Sequence, residues 1–296
     1  MRVGSSSRDR SWTILELLRW TTEYLEARGI ETARLDAECL LTEALGTTRL
    51  QLYLDFEKPV SVEDRARYRE LVRRRGVERV PVSQILGRKE FWSLDLEVTH
   101  QVLTPRPETE TLVQAALDRI PDPATGCRVL DVGTGSGAVA LAIARERSEA
   151  HVTATDISAA ALQIARKNAD QLRLSERLRF LEGDLFEVVE GEQFDLVVSN
   201  PPYVARREAA TLPPELAHEP ELAVFGGDDG YAVLRPLVAG VSRVLVPGGA
   251  FAVELAPQQA EVVAGLCAEA GLERIETLRD LARRPRVVAA YKSTQS

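Results

Sequence analysis

The four consecutive residues Asn200-Pro201-Pro202-Tyr203 have the side chains and spacing to act on an amino group. Two successive prolines fix the backbone and remove two N–H donors, so we expect the carbonyl of Pro201 to point outward without a helix or sheet partner. The side chain of Asn200 offers a second carbonyl, and two adjacent acceptors can bind both hydrogens of an –NH2 group. Tyr203 could lie against the flat group that carries this nitrogen. The alternative is an ordinary Asn-Pro turn.

The chemistry that such a site favours is transfer of a methyl group to nitrogen. A planar amide or aryl amine is a poor nucleophile because its lone pair is delocalised. Holding both hydrogens and directing the nitrogen at an electrophilic methyl group promotes attack by positioning and electrostatics, without a covalent intermediate. No histidine or lysine base is required, because the product cation can lose its proton to water.

A glycine-rich segment, D-V-G-T-G-S-G at 131–137, follows an apolar strand and opens a helix. Its glycines allow the backbone to approach a ligand closely, and the free N–H groups at the helix start suit the carboxylate of a methionine moiety. The spacing is G-x-G-x-G rather than the G-x-G-x-x-G of dinucleotide-binding folds. By itself the segment is also compatible with a dinucleotide site or with a purely structural turn.

Two acidic residues follow at the ends of the next two predicted strands. Asp156 lies about 20 residues beyond the glycine segment, where a carboxylate can accept hydrogen bonds from both ribose hydroxyls. Asp184 could accept from an adenine amino group, with Leu185 and Phe186 near the ring. Each has a plain alternative, a helix cap for Asp156 and a turn residue for Asp184. The glycine segment, Asp156 and Asp184 follow three consecutive predicted strands, and together they predict a site for S-adenosylmethionine.

The elements that must position these residues alternate between strands and helices from residue 128 onward. Such alternation predicts a doubly wound, mostly parallel α/β sheet of seven strands, a Rossmann-like fold. We expect helices at 138–146 and 158–172 and a further helix that continues to about Leu245, where P-G-G marks its end. The predicted strands are R-V-L-D-V (128–132), H-V-T-A-T (151–155), L-R-F-L-E (178–182), F-D-L-V-V-S (194–199), A-F-A-V-E-L (250–255), 272–277 and R-V-V-A-A-Y (286–291).

The part of the chain before the sheet has a different pattern. Residues 1–10 are polar and are predicted to form a disordered tail, and 11–88 show helical periodicity, with a capping box expected at S-V-E-D (61–64). Residues 89–99 alternate in polarity and predict a β-hairpin linker, so the catalytic domain would span 100–296. The arginines between 65 and 79 are interpreted as a solvated face or as a docking patch.

Composition excludes several classes of protein. The 296 residues carry a net charge of −8, and residues 91–296 hold 20 Lys and Arg against 30 Asp and Glu, which disfavours a nucleic-acid substrate. The three cysteines and three histidines are scattered, so we expect neither disulfides nor a metal site. The N-terminus lacks a signal-peptide pattern and no segment is apolar enough for a membrane span, which predicts a soluble cytoplasmic protein without a membrane partner.

Over nearly its whole length the sequence resembles the bacterial peptide chain release factor glutamine N5-methyltransferases. The distinctive pair is P-R-P-E-T-E with N-P-P-Y, since N-P-P-Y alone also occurs in adenine-N6 and some guanine-N2 methyltransferases. The matching segments are P-V-S-Q-I-L-G (81–87), F-W-S-L-D-L-E-V (91–98), L-T-P-R-P-E-T-E (103–110), L-D-V-G-T-G-S-G (130–137), V-S-N-P-P-Y (198–203), H-E-P-E-L-A-V-F-G-G-D-D-G (218–230) and R-D-L-A-R-R-P-R-V (279–287).

The resemblance implies a class I S-adenosylmethionine-dependent methyltransferase that leaves S-adenosylhomocysteine as product and needs no metal. Its substrate would be the glutamine of the Gly-Gly-Gln loop in class 1 release factors, docked by the N-terminal helical domain. The implied cofactor contacts are Gly133, Thr134, Gly135, Ser136, Gly137, Asp156, Asp184, Leu185 and Asn200. The implied catalytic and substrate-binding residues are Asn200, Pro201, Pro202 and Tyr203, and Arg106 and Glu110 are further implied substrate contacts.

The sequence also departs from the pattern of these enzymes. E-L-A (254–256) stands where E-I-G is usual, Arg283 stands where glycine is usual, and Leu185 replaces the aromatic residue of some relatives. Two other functions remain open at this point. One is an amino methyltransferase acting on nucleic acid through the same tetrapeptide, and the other is a non-catalytic binding module with the same fold.

Overall fold

The computed structural model describes residues 12–120 and 126–294. The chain divides into two compact units, Met1–Leu86 and Gly87–Ser296, each with hydrophobic core clusters of its own. The disordered tail predicted for 1–10 lies outside the described residues. Among the helices that are described, none combines the length and the apolar character needed to cross a bilayer.

The described part of the first unit contains the helices α1 (Ile14–Glu26), α2 (Ala33–Leu45), α3 (Arg49–Leu54), α4 (Val62–Gly76) and α5 (Val82–Leu86). Thr13 is the N-cap of α1 and forms a complete capping box with Glu16. The Thr13 hydroxyl accepts from the Glu16 amide, and the Glu16 carboxylate accepts from the Thr13 amide. The capping box predicted at Ser61 is only half formed. The Ser61 hydroxyl accepts from the Asp64 amide, but the shorter Asp64 carboxylate binds the same hydroxyl instead of reaching the Ser61 amide.

The arginine-rich end of α4 is largely engaged in ion pairs within the first unit. Arg73 pairs with both Glu70 and Glu78 at 2.6 Å. Arg75 is buried, and its Nε donates to a carboxylate oxygen of Asp36 at 2.6 Å. The buried pair of Arg75 and Asp36 therefore links α4 to α2, and the cluster is not a uniformly free cationic surface.

The second unit is built on one seven-stranded sheet, which confirms the predicted doubly wound, mostly parallel architecture. Its strands are β3 (Arg128–Val132), β4 (His151–Asp156), β5 (Leu178–Glu182), β6 (Phe194–Ser199), β7 (Leu245–Glu254), β8 (Leu272–Arg279) and β9 (Pro285–Lys292). They follow the order β5-β4-β3-β6-β7-β9-β8, with β9 antiparallel to its two neighbours. The four loops that follow β3, β4, β5 and β6 therefore leave the sheet at the same edge.

The helices of the second unit cover both faces of this sheet. They are α6 (Glu110–Leu117), α7 (Ala138–Glu146), α8 (Ala159–Gln171), α9 (Glu221–Val224), α10 (Leu234–Val241) and α11 (Ala260–Glu269). The prediction that a helix continues to Leu245 and ends at P-G-G is wrong. Helix α10 ends at Val241, and P-G-G lies inside β7, where a bulge shifts the register between Phe194 and Leu196 and Gly248 has φ +78°.

The hairpin formed by β1 (Arg88–Phe91) and β2 (Leu94–Glu97) packs on the second unit. The Glu97 amide donates to Asn168 Oδ1 at 2.7 Å, and Asn168 Nδ2 donates to the Glu97 carbonyl at 3.1 Å and to the Ser136 carbonyl at 2.9 Å. Asn168 is fully buried on α8. One amide side chain thus connects the hairpin to the glycine segment, and the hairpin behaves as part of this unit.

Candidate active site

The loops after β3, β4, β5 and β6 surround a cavity of about 350 Å3, within the range of roughly 300–1,000 Å3 typical of small-molecule sites. The register places Val132 of β3 beside Thr155 and Ser199. The Ser199 hydroxyl donates to the Val132 carbonyl at 2.7 Å, which holds the ends of β3 and β6 together. Of the predicted site residues, Gly133, Thr134, Gly135, Ser136, Asp156, Asp184, Leu185, Asn200, Pro201 and Pro202 line the cavity.

The glycine segment is held against the end of β4 by its own backbone. The amides of Gly133 and Thr134 both donate to the Thr155 carbonyl, at 2.8 and 2.9 Å. Gly133 and Gly135 have φ values of +73° and +57°, a conformation that other residues rarely adopt, and a Cβ there would meet no atom within 4 Å. At Gly137 a Cβ would lie 3.2 Å from Ala165 Cβ, so this glycine permits helix packing.

Asp156 connects the loops after β3 and β4. One of its carboxylate oxygens accepts from the Gly135 amide at 2.8 Å and the other accepts from the Ser158 amide at 2.9 Å. Burial raises the pKa of this carboxyl, while the hydrogen bonds from the two backbone amides lower it. Each oxygen retains a free lone pair, and the side chain also lines the cavity, so it can orient the loops and accept from a ligand hydroxyl.

The side-chain amide of Asn200 has a hydrogen-bond partner at its nitrogen and, among the described residues, none at its oxygen. Its Nδ2 donates to the Thr109 hydroxyl oxygen at 3.2 Å. Its Oδ1 is buried and has no hydrogen-bond partner among the described residues. Within the same described ranges, no backbone N–H donates to the carbonyl of Pro201. Two acceptors of the tetrapeptide are therefore available for the hydrogens of an amine.

Comparison with known proteins identifies the family. Residues 16–87 match the PrmC N-terminal domain, and residues 109–218 match the methyltransferase small domain. The release factor glutamine methyltransferase of Rhodopirellula baltica is 42% identical, covering 98% of this chain and 100% of that protein. The chain belongs to the release factor glutamine methyltransferase family.

A second relative supports the family assignment, and a solved structure supports the fold. The release factor glutamine methyltransferase of Geobacter sulfurreducens is 43% identical, with coverage of 91% of this chain and 93% of the relative. A crystal structure of a methyltransferase from Pyrococcus furiosus aligns with a TM-score of 0.52 over 69% of this chain and 92% of that chain, at 20% identity. The latter supports the fold alone.

In this release factor glutamine methyltransferase family member, three residues that were predicted to contact the substrate do not line the cavity: Arg106, Glu110 and Tyr203. The Tyr203 hydroxyl donates to Glu254 at 3.2 Å, and its ring packs against a core cluster. Arg106 binds the buried carboxylate of Glu219 at 2.7 Å. A carboxylate oxygen of Glu110 accepts from the Trp92 amide of the hairpin at 3.4 Å.

The cavity of this methyltransferase is also lined by residues that were not predicted as site residues, among them Asp131 and Ile157. Asp131 is buried, accepts from the Thr134 hydroxyl at 2.7 Å, and has its pKa raised to about 7, mainly by burial. Ile157 is 56% exposed despite its apolar side chain. The signals available in the sequence were an acidic residue inside an apolar strand and an isoleucine directly after Asp156.

Asp184 and Leu185, which are expected to contact adenine, line the cavity, and so does Ile157. Leu185 has φ +46°, an uncommon conformation for leucine that often occurs at functional sites. The expected contribution of Phe186 is not seen. Its ring packs on Gly240, where an added Cβ would lie 2.9 Å from it.

In this family member, the G-G-D-D-G loop (226–230) packs against the backbone of the tetrapeptide Asn200–Tyr203. A Cβ added to Gly226 would lie 2.5 Å from the Pro202 carbonyl oxygen, and one added to Gly230 would lie 2.5 Å from that of Tyr203. Gln259 Nε2 also donates to the Tyr203 carbonyl at 3.1 Å. The backbone after Asn200 is therefore fixed by close contacts that only glycine permits.

Proposed function

We propose that this protein transfers a methyl group from S-adenosylmethionine to the side-chain amide nitrogen, N5, of the glutamine in the Gly-Gly-Gln loop of class 1 peptide chain release factors. The observation that carries this proposal is the buried Oδ1 of Asn200, which has no hydrogen-bond partner in the described part of the chain and belongs to a residue that lines the cavity together with the glycine segment. An acceptor in that position suits a primary amide. Family membership supplies the identity of the protein that bears the amide.

The residues around the cavity fit S-adenosylmethionine. The positive-φ glycines at 133 and 135 place no side chain between their own backbone and a ligand, and Asp156 offers acceptor oxygens for ribose hydroxyls. Asp131 is a buried carboxyl whose ionised form a cationic group would favour. Ile157 and Leu185 provide apolar surface for a flat ring. The bound cofactor would supply an electrophilic methyl group on a sulfonium.

The chain's own contribution to the reaction is positioning. Asn200 Oδ1 and the Pro201 carbonyl would each accept one hydrogen of the substrate amide. This grip fixes the rotation of the amide group and directs the nitrogen lone pair toward the methyl group. It also stabilises the positive charge that develops on nitrogen, because both acceptors carry partial negative charge in a site that is largely shielded from water. The product proton can leave to water.

The first unit is proposed to dock the release factor. Two observations support this role: the predicted site residues all lie in the second unit, and residues 16–87 match a domain found in the same family. The first unit also exposes apolar side chains, among them Leu50 and Leu54 on α3. The acidic balance of residues 91–296 supports a protein substrate over nucleic acid.

Transfer of tritiated methyl groups from S-adenosylmethionine tests the proposal. We expect label on purified class 1 release factor and none on a matched release factor in which asparagine replaces the loop glutamine. Duplex DNA and ribosomal RNA serve as alternative acceptors and should remain unlabelled. Labelling of either nucleic acid, or equal labelling of both release factors, would contradict the proposed substrate.

A further inference from the structure

Gln259 is a buried side-chain amide that contacts the tetrapeptide from outside the cavity lining. It ends the short turn Pro257–Gln259 after β7 and is only 3% exposed. Its Nε2 donates to the Tyr203 carbonyl at 3.1 Å and to the Gly230 carbonyl at 3.0 Å. Its Oε1 accepts from the Ala256 amide at 3.0 Å. One side chain therefore joins the tetrapeptide, the G-G-D-D-G loop and the segment E-L-A that follows β7.

The orientation of the Gln259 amide follows from these three partners. An amide nitrogen carries two hydrogens, and here two carbonyls accept them, while the amide oxygen faces a backbone N–H. If the amide were reversed, its oxygen would face two carbonyl oxygens and its –NH2 group would face the Ala256 N–H. The Gln259 side chain also reaches back three residues to the Ala256 amide, as a glutamine does in a capping box. The side chain is therefore held from the end of β7, and its two donors point at the other two segments.

A glycine provides the space that this contact needs. Gly230 has φ +83°, and a Cβ there would lie 3.0 Å from Gln259 Nε2 and 2.5 Å from the Tyr203 carbonyl oxygen. A side chain at position 230 would displace the Gln259 amide or the tetrapeptide. The last glycine of the G-G-D-D-G loop and the buried amide are thus complementary parts of one contact, although they lie 29 residues apart in the chain.

We infer that Gln259 is a positioning residue that fixes the direction of the Pro201 carbonyl, one of the two acceptors in the proposed grip. Tyr203 is held at two points, because its carbonyl accepts from Gln259 and its hydroxyl donates to Glu254 at 3.2 Å. Both prolines of the tetrapeptide have a fixed φ, so little rotational freedom remains before this anchor. Gln259 does not line the cavity and acts on the substrate only through the backbone. This inference rests on the proposed function.

Gln259→Met and Gln258→Met form a matched pair of variants. Methionine has nearly the length of glutamine but removes both donors and the acceptor, and the control position, Gln258, is exposed in the same turn. With intact protein and release factor, we expect Gln259→Met to lower kcat about ten- to a hundredfold while the KM for S-adenosylmethionine stays within about twofold. Gln258→Met should leave both constants within about twofold of wild type.

Gln259→Asn is a second variant that keeps a polar group in the buried site. Asparagine is one methylene shorter, so it cannot reach the Tyr203 carbonyl and the Ala256 amide together. We expect the same pattern, a lower kcat with a nearly unchanged KM for the cofactor, at a smaller magnitude. A wild-type kcat in either folded Gln259 variant would overturn the inference.

Combination with Asn200→Ala separates positioning of the grip from general stability. If Gln259 acts through the grip, its replacement should slow methyl transfer by a smaller factor in the Asn200→Ala background, where one acceptor is already lost. The same factor in both backgrounds, or a KM for the cofactor that rises as kcat falls, would assign Gln259 a general structural role and overturn the inference. A wild-type protein that did not methylate glutamine would instead contradict the proposed function, so the two failures are distinguishable.

Discussion

Asn200 donates to Thr109 through Nδ2, whereas its buried Oδ1 has no partner among residues 12–120 and 126–294, and the proposed chemistry depends on this asymmetry. Asp156 has a different kind of role. It binds the amides of Gly135 and Ser158 and still has lone pairs for a ligand, so it is expected to matter for cofactor affinity more than for turnover.

Replacement of Asn200 by alanine should remove turnover while largely sparing cofactor binding. One substrate hydrogen would be unpaired in a buried site, and by analogy with loss of one oxyanion-hole donor the rate should fall about a hundred- to a thousandfold. Single-turnover methyl transfer measures this. Asn200→Asp keeps an acceptor but adds a charge beside the methyl donor, and we expect partial activity. Nearly full activity for alanine with an inactive aspartate variant would show that Asn200 is only a turn residue.

Asp156→Ala should weaken S-adenosylmethionine binding by about 1.5–3 kcal/mol, the contribution of charge-assisted hydrogen bonds to ribose hydroxyls. Isothermal titration calorimetry measures the change directly. Ser158→Ala is the matched control, because it removes the N-cap of α8, whose hydroxyl accepts from the Ala161 amide, but leaves the carboxylate in place. An unchanged affinity in Asp156→Ala would remove this residue from the cofactor site.

The sequence could predict the residues that lie together along the chain or at strand ends, such as Asn200, Gly135 and Asp156. It could not predict that Asn200 Nδ2 donates to Thr109, because this contact depends on which segments meet after folding. Tyr203 illustrates the same limit. Its place in the tetrapeptide predicted a contact with substrate, but its hydroxyl donates to the buried carboxylate of Glu254.

At the scale of elements, β3, β4 and β6 were predictable because each contains four consecutive buried residues, as is typical of parallel strands covered on both faces. The bulge at the start of β7 was not, because Pro247-Gly248-Gly249 has the composition of a turn and only pairing with β6 makes it part of a strand. The G-G-D-D-G loop is the element that most directly supports the grip. Its glycines contact the backbone of the tetrapeptide.

Gly226→Ala should disturb this support. The added Cβ would lie 2.5 Å from the Pro202 carbonyl oxygen, which is backbone and cannot move without shifting the tetrapeptide. We expect a loss of about 1–3 kcal/mol of stability and a reduced kcat. Gly265→Ala on α11 is the control, since its Cβ meets nothing within 4 Å and alanine favours a helix. Chemical denaturation measures the stability and methyl transfer measures kcat, and we expect both to fall in Gly226→Ala but not in Gly265→Ala. Equal stability and equal kcat in the two variants would refute the support of the tetrapeptide by Gly226.

At the scale of the whole molecule, the cavity and the predicted site residues belong to the second unit, Gly87–Ser296, which has its own sheet and cores. The family assignment covers both units, because the Rhodopirellula baltica relative matches 98% of the chain. We propose that the first unit recognises the release factor and that the second unit transfers the methyl group.

A chain that begins at Gly87 should fold, bind S-adenosylmethionine with nearly normal affinity, and methylate intact release factor poorly. The hairpin β1–β2 is retained, so the contact between Glu97 and Asn168 is preserved. Calorimetry gives the affinity and methyl transfer gives the KM and kcat. Full activity of the shortened chain on intact release factor would disprove the docking role of the first unit.

The measurement that tests the central claim most directly is the location of the transferred methyl group. Release factor is incubated with deuterated-methyl S-adenosylmethionine and either wild-type protein or Asn200→Ala, and its Gly-Gly-Gln peptide is analysed by tandem mass spectrometry. The account predicts one labelled methyl group on the glutamine side chain with the wild-type protein, and at least about a hundredfold slower labelling with the variant. A methyl group on any other residue, or equal labelling by the two proteins, would contradict it.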